Sequence, residues 1–191
     1  MEYHLKTPLS IEDISPLRIG DIVYISGKVL TARDEAHKRI LETPLENMPF
    51  DLDGSTIYHC GPLMQEKEPG IWVPVAAGPT TSARMSAMTP QLLKKHNVRM
   101  LIGKGGMDNV ADSMKGKCVY LAYTGGCAAL AVNSITKVCD VHWLDLGMPE
   151  AIWVLEMNEF GPLVVGIDTG GEDLFRNIRE KVNENLEKAL R

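Results

Sequence analysis

Three short stretches of this 191-residue chain gather small residues and hydroxyls around a basic side chain. TARDEAHKR (31–39) carries Arg33 and Asp34, GPTTSARM (78–85) carries Thr80, Thr81, Ser82 and Arg84, and IGKGGM (102–107) sets Lys104 between glycines. A glycine at a strand end lets the backbone approach a ligand, and a helix start offers free N–H donors to an anion. Arginine grips a carboxylate through two parallel hydrogen bonds, whereas lysine supplies a compact point charge. Brought together, the three loops suit a small di-anion. Taken singly, each has a plainer reading: Lys104 as a solvated turn residue, Arg33 and Arg84 as structural ion pairs, and residues 80–82 as a satisfied turn. The Gly103-Lys104-Gly105-Gly106 run lacks P-loop spacing. Gly125-Gly126 reads equally as an anion nest or a tight turn.

Other reactive residue types offer less. Cys60, Cys118, Cys127 and Cys139 show no C-x-x-C spacing and no paired Cys/His pattern, against a zinc ribbon or a self-contained ferredoxin-type cluster. Nothing else points to an oxidising compartment, so they read as free, mostly buried thiols. His59-Cys60 as a metal or redox pair is the lesser alternative. His37 and His59 read as structural or supporting groups, and no Ser-His-Asp or Cys-His arrangement favours a hydrolase.

The loops need elements to hold them. Short β-branched or aromatic runs predict strands over residues 21–29, 56–59, 72–76, 99–102, 118–123, 138–143, 152–157 and 163–168. Asp34 is placed to cap a short helix through Leu41, and Thr89-Pro90 to open another over 91–96. Residues 107–114 are periodic and stop at Gly116, and 126–133 form a small-residue helix. The stretch 172–191 spaces Leu174, Ile178, Val182 and Leu186 four apart, predicting a surface amphipathic helix. Residues 42–54 read as a long Pro- and acid-rich loop. The sum is a single mixed α/β domain over 1–191, without the regular βαβ series of a nucleotide fold.

Composition excludes other classes. Hydrophobic residues at 45% and charged residues at 24% describe a globular chain. A net charge of −5 argues against generic nucleic-acid binding, which needs a basic face. No apolar run approaches the roughly 20 residues of a membrane helix, and the N-terminus lacks signal-peptide features, so a cytoplasmic protein is expected.

The ordered set ARDEAHKR, YHCGP, GPTTSARM, IGKGGM, TGGCAAL and LGMPEAIWV resembles the β subunit of the two-subunit class I fumarate hydratases. In single-chain relatives the same region is the C-terminal domain, and the L(+)-tartrate dehydratase β subunit is a close cousin. The likeness runs from about Thr7 to the final helix; one departure is Ala32, where glycine commonly precedes the Arg-Asp pair. It implies a swivelling β/β/α domain, a mixed-sheet core with flanking helices. It also implies a hydro-lyase (fumarase) of the tricarboxylic acid cycle that adds water reversibly to fumarate. The 4Fe–4S cluster would belong to a separate α subunit, none being bound by this chain alone, in an α2β2 heterotetramer with shared active sites. By resemblance, Arg33, Arg84, Lys104 and Thr80 bind substrate, Thr80 and Lys104 being catalytic. Thr81 and Asp34 are supporting neighbours, and the chain holds no metal. Two rivals remain: tartrate as substrate, and a non-catalytic dicarboxylate-binding module using the same loops.

Overall fold

The structure, a computed structural model, describes residues 1–190. In chain order its strands are β1 Glu2–Lys6, β2 Ile22–Thr31, β3 Thr56–Tyr58, β4 Leu63–Glu68, β5 Ile71–Ala76, β6 Met100–Gly103, β7 Val119–Ala122, β8 Ile135–His142 and β9 Ile152–Ile167. The helices are α1 Ile11–Ile14, α2 Asp34–Glu42, α3 Thr89–Lys95, α4 Ala111–Met114, α5 Ala128–Val132 and α6 Leu174–Ala189. Strands β4 and β5 form a separate antiparallel hairpin, and the other seven make one mixed sheet.

That sheet closes on itself. β2, β3, β6 and β7 are parallel neighbours, with Leu30 opposite Ile57, Tyr58 opposite Ile102 and Leu101 opposite Tyr120. β9 then pairs antiparallel with β7 through Val164–Ile167 and with β2 from Val154 to Val164, completing the ring. β1 extends one edge of β2, and β8 covers the first half of β9. Closure leaves the free edges of the sheet to β1 and β8.

Two cores flank the ring because successive side chains on a strand point to opposite faces. Tyr58, Met100, Ile102, Val119 and Leu121 enter one core with Ile14, Trp153 and Phe160. The alternating Ile57, Leu101 and Tyr120 enter the other, under Ala36 and Ile40 of α2 and Leu92 and Leu93 of α3. Strands buried on both faces read as continuous apolar runs, which is why these segments stand out in the sequence.

Several elements differ from expectation. Residues 152–157 and 163–168 are halves of one sixteen-residue strand. The intervening Asn-Glu-Phe-Gly-Pro has turn chemistry, but Phe160 is fully buried against Tyr58 and Tyr123, and ladder pairing with β2 overrides the local preference. β1 and β4 were not expected; they are half-exposed strands whose apolar signal is weak. Asp34 does not cap α2: it is the first helical residue, Arg33 holds the cap position, and the Asp34 carboxylate turns to Arg84. Thr89 likewise starts α3 after Met88, its hydroxyl donating to the Met85 carbonyl at 3.0 Å. The helix over 107–114 shortens to α4 because Asn109 takes a positive φ of 57°. The loop 42–54 is anchored by buried Leu52 and carries a single 3₁₀ turn, Leu45–Asn47. α6 is capped by Asp173, whose carboxylate accepts from the Phe175 and Arg176 amides. Its stripe stays uncovered, Ile178 being 51% exposed and Leu186 56%.

These burials set a stability contrast. Phe160→Ala should destabilise by about 3–5 kcal/mol, and Leu186→Ala by less than about 0.5 kcal/mol, read as shifts in the urea midpoint at constant m.

Candidate active site

The parallel strands β2, β3, β6 and β7 all end on the same side of the sheet, where ligands of α/β folds gather. Leaving those ends are Arg33, the His59-Cys60-Gly61 turn, Lys104, and the Thr124-Gly125-Gly126 turn. The fifth component arrives from outside the ring. Past Tyr58 and Ile102, residues 79–82 lie alongside both strand extensions, Pro79 bridging Cys60 and Thr81 bridging Lys104. The Thr80 amide donates to the His59 carbonyl at 2.7 Å, and the Lys104 amide to the Thr80 carbonyl at 3.0 Å. The Ser82 amide donates back to the Lys104 carbonyl at 3.0 Å. Thr80 and Lys104 are thus locked as backbone neighbours although 24 residues separate them in the chain.

Ion pairs aim the two arginines. Arg84 donates from Nε to Asp34 Oδ1 at 3.1 Å and from Nη2 to Asp34 Oδ2, a two-pronged grip that joins the Thr80 loop to the start of α2. Its Nη1 donates to the Thr80 hydroxyl at 3.3 Å. A guanidinium has five N–H donors, so this geometry leaves two for a ligand. Arg33 is paired through Nε with Glu150 at 3.3 Å, and the other Glu150 oxygen accepts from the Glu35 amide at 3.0 Å. Glu150 therefore supplies an anion where the helix dipole favours one. Lys104 is exposed and forms no ion pair among the described residues.

Two glycines make room for these cations. A Cβ on Gly61 would sit 2.6 Å from Arg33 Nη1 and 2.8 Å from the Pro149 carbonyl oxygen, and one on Gly125 would sit 2.9 Å from Lys104 Cδ. Behind them lies a fully buried polar layer. His59 Nδ1 is 2.9 Å from Ser82 Oγ, Tyr120 Oη is 3.0 Å from the same hydroxyl and 2.6 Å from the Gly105 carbonyl oxygen, and His37 Nδ1 meets the Arg33 carbonyl at 2.8 Å. The two imidazoles meet edge to face with centroids 5.2 Å apart. Burial pushes both pKa values below the usual histidine value, His59 well below it with the His37 charge adding to the effect.

The structure therefore brings Arg84, Asp34 and Thr80 into direct contact, joins Lys104 to Thr80 through the backbone, and puts Arg33 beside Asp34. Thr81 bridges Lys104 at the solvent edge. Sequence reasoning missed Glu150, Tyr120 and Gly61 as parts of the site, and it placed Ser82 and Gly125 in candidate loops without these roles. Glu150 and the two glycines fall inside motifs already singled out; Tyr120 gives no signal, being one aromatic in an apolar run. His59-Cys60 is not poised for redox or metal chemistry: Cys60 is fully buried, and burial raises its thiol pKa. The four free thiols sit on separate elements, and no group of three or more potential metal ligands occurs among the described residues. They do not fit an iron–sulfur cluster.

A hydroxyl and three cationic side chains thus gather at the carboxyl ends of parallel strands on an α/β domain. The Fumarase C-terminus family model matches residues 1–178, and the chain belongs to that family. It is 46% identical over 195 residues to "Putative L(+)-tartrate dehydratase subunit beta" of Methanocaldococcus jannaschii, covering 100% of this chain and 99% of that one. It is 39% identical over 177 residues to the L(+)-tartrate dehydratase subunit beta of Escherichia coli, covering 92% and 87%. A third similar protein is "Putative fumarate hydratase class I" of Geobacillus stearothermophilus, 39% identical over 184 residues, which span 95% of this chain and 35% of that longer one. No helix among the described residues is long and apolar enough to cross a membrane.

The buried histidines give a pH dependence. Both folded-state pKa values lie below the ordinary 6.5, so below that pH the unfolded chain binds more protons than the native one. Their burial leaves stability unchanged at alkaline pH. As pH falls below 6.5 it removes about 1.4 kcal/mol per pH unit for each imidazole, until the folded pKa is reached. Urea unfolding between about pH 7.5 and 5.5 should show this slope, and replacing both histidines by asparagine should flatten it.

Proposed function

We propose that this chain is the β subunit of a two-subunit hydro-lyase that hydrates fumarate reversibly to L-malate at a site shared with an α subunit. The observation that carries the proposal is the joining of Arg84, Asp34, Thr80 and Lys104 on one open shelf, with Arg33 alongside. Arg84 is 46% exposed at its side chain, leaving the shelf accessible to a second protein. In this reading the 4Fe–4S cluster resides on the α subunit, the assembly is α2β2, and the enzyme works in the cytoplasm.

Water attack on the carbon β to a carboxylate builds negative charge on that carboxylate, as an aci-type di-anion. Fixed cations aimed at it favour the transition state over the substrate, the condition for raising the rate. Arg33 and Arg84 grip the carboxylates with the donors their ion pairs leave free, and Lys104 adds an unpaired positive charge. Thr80 Oγ1 takes up the carbon-bound proton of malate in dehydration and gives that proton back to carbon in hydration. A threonine hydroxyl is a poor base unaided. The donation from Arg84 Nη1 stabilises the oxygen when it carries negative charge.

L(+)-tartrate is the second reading, favoured by relatives named as tartrate dehydratase β subunits that align with nearly this whole chain. Both substrates are four-carbon dicarboxylates, so the same cations serve either, and groups that read the hydroxyls make the choice.

The deciding experiment is anaerobic: the purified chain is mixed with its reconstituted α partner, and consumption of fumarate, then of L-tartrate, is followed. Activity that needs both chains and is lost in air supports the hydro-lyase, and the preferred substrate selects between the readings. Silence on both with an intact cluster leaves a dicarboxylate-binding module. Within an active complex, Arg84→Ala should abolish turnover with the subunits still associated. Lys104→Met should lower kcat/KM at least about tenfold through loss of one charge-assisted contact. Near wild-type turnover in Arg84→Ala would refute the site.

A further inference from the structure

We infer that His59, Ser82 and Tyr120 form a one-directional hydrogen-bond chain, His59 Nδ1–H to Ser82 Oγ–H to Tyr120 Oη–H to the Gly105 carbonyl, and that this chain positions Thr80 and Lys104. The direction follows from counting protons. The Gly105 carbonyl can only accept, and at 2.6 Å it takes the single proton of the Tyr120 hydroxyl. Tyr120 Oη must then accept from Ser82 across the 3.0 Å contact, which uses the only serine proton. Ser82 Oγ is left to accept from His59 Nδ1 at 2.9 Å, so His59 carries its proton on Nδ1. The reverse order fails at both ends. It would put the proton of a neutral His59 on Nε2, which is buried without a partner, and leave the Ser82–Tyr120 contact with no hydrogen between its oxygens. Burial keeps His59 neutral and Tyr120 protonated.

His37 has the same tautomer for the same reason, because the Arg33 carbonyl facing its Nδ1 can only accept. Its Nε2 is also buried and unpaired, and its ring packs against that of His59, linking the layer to the start of α2.

Each member of the chain is coupled to a residue of the proposed catalytic pair. The His59 carbonyl holds the Thr80 amide, the Ser82 amide holds the Lys104 carbonyl, and Gly105, held by Tyr120, follows Lys104 directly. Gly103 makes the layer possible, since a Cβ there would collide with Ser82 Oγ and lie 3.1 Å from His59 Nδ1. These are positioning residues; none is placed to touch substrate. The positioning role rests on the function proposed above, whereas the proton assignment stands without it.

The test has two parts. Imidazole ¹⁵N shifts of the full chain should show His59 as the neutral Nδ1–H tautomer, and a protonated Nε2 would overturn the chain's direction. Tyr120→Phe should then move the His59 ring resonances and the Thr80 and Lys104 amides. In the α/β complex it should lower kcat at least tenfold while KM stays within about twofold. Ser82→Ala should do the same, while His59→Asn, whose amide nitrogen replaces Nδ1, should keep most of kcat. Folded, associated Tyr120→Phe and Ser82→Ala complexes with kcat near wild type would overturn the positioning role. Should the wild-type complex consume neither substrate, the functional reading falls. The amide shifts then decide the positioning claim: unmoved Thr80 and Lys104 amides in Tyr120→Phe refute it.

Discussion

The site depends on a backbone pairing. Beyond the last side-by-side residues of β3 and β6, residues 79–82 continue the ladder as a fragment of strand from elsewhere in the chain. Backbone bonds fix position more stiffly than side chains on loops, and here they fix Thr80 between His59 and Lys104. Everything else is arranged around that fragment. Ser82 turns into the buried layer, Thr81 faces solvent, and the 3₁₀ turn Ser82–Met85 delivers Arg84 to Asp34. Displacing the fragment would separate a threonine, a lysine and an arginine at once.

The ring of strands was legible in pieces. β6 and β7 announce themselves because burial on both faces makes them nearly all apolar, and β2 because buried residues alternate along its first half. Closure through β9 was hidden because residues 158–162 carry turn chemistry that only long-range pairing overrides. The site was legible to a similar depth. The loops of Arg33, Arg84, Lys104 and Thr80 stand out because glycines and hydroxyls flank a basic residue, and the resemblance to a family singles out those four. The counter-group of Arg33 was not legible. Glu150 reaches Arg33 from 117 positions away, and local spacing carries no trace of that pairing. Asp34 reads locally as a helix cap and by resemblance as a supporting neighbour, and the structure gives its carboxylate to Arg84, not to the cap. The resemblance to a family supplied the grouping of the loops; geometry supplies the reason they stay grouped.

The buried layer beneath the shelf illustrates a general cost. Hydroxyls and imidazoles in a core destabilise it unless their bonds are made, and a chain with one unmade bond is worse than apolar packing. Ser82, Tyr120 and the Nδ1 atoms of both histidines are satisfied; only the Nε2 acceptors are left. Among these four side chains the cost falls on bare lone pairs, not on orphaned N–H groups. Burial keeps both rings uncharged, so no buried positive charge competes with Arg33, Arg84 and Lys104 for an anion.

Those cations are themselves partly balanced. Asp34 and Glu150 answer two of the three, leaving a formal surplus of one positive charge in the group of five. The carboxylates hold the guanidinium planes in place and still leave donors free, so orientation is gained without neutralising the site completely. On an open shelf water weakens what remains, since unit charges about 4 Å apart interact by about 1 kcal/mol in bulk water and about 4 kcal/mol at a protein-like dielectric. Covering the shelf with a partner subunit would therefore strengthen the pull on a di-anion severalfold without moving a residue of this chain. A site covered in this way would act weakly when open and strongly when closed.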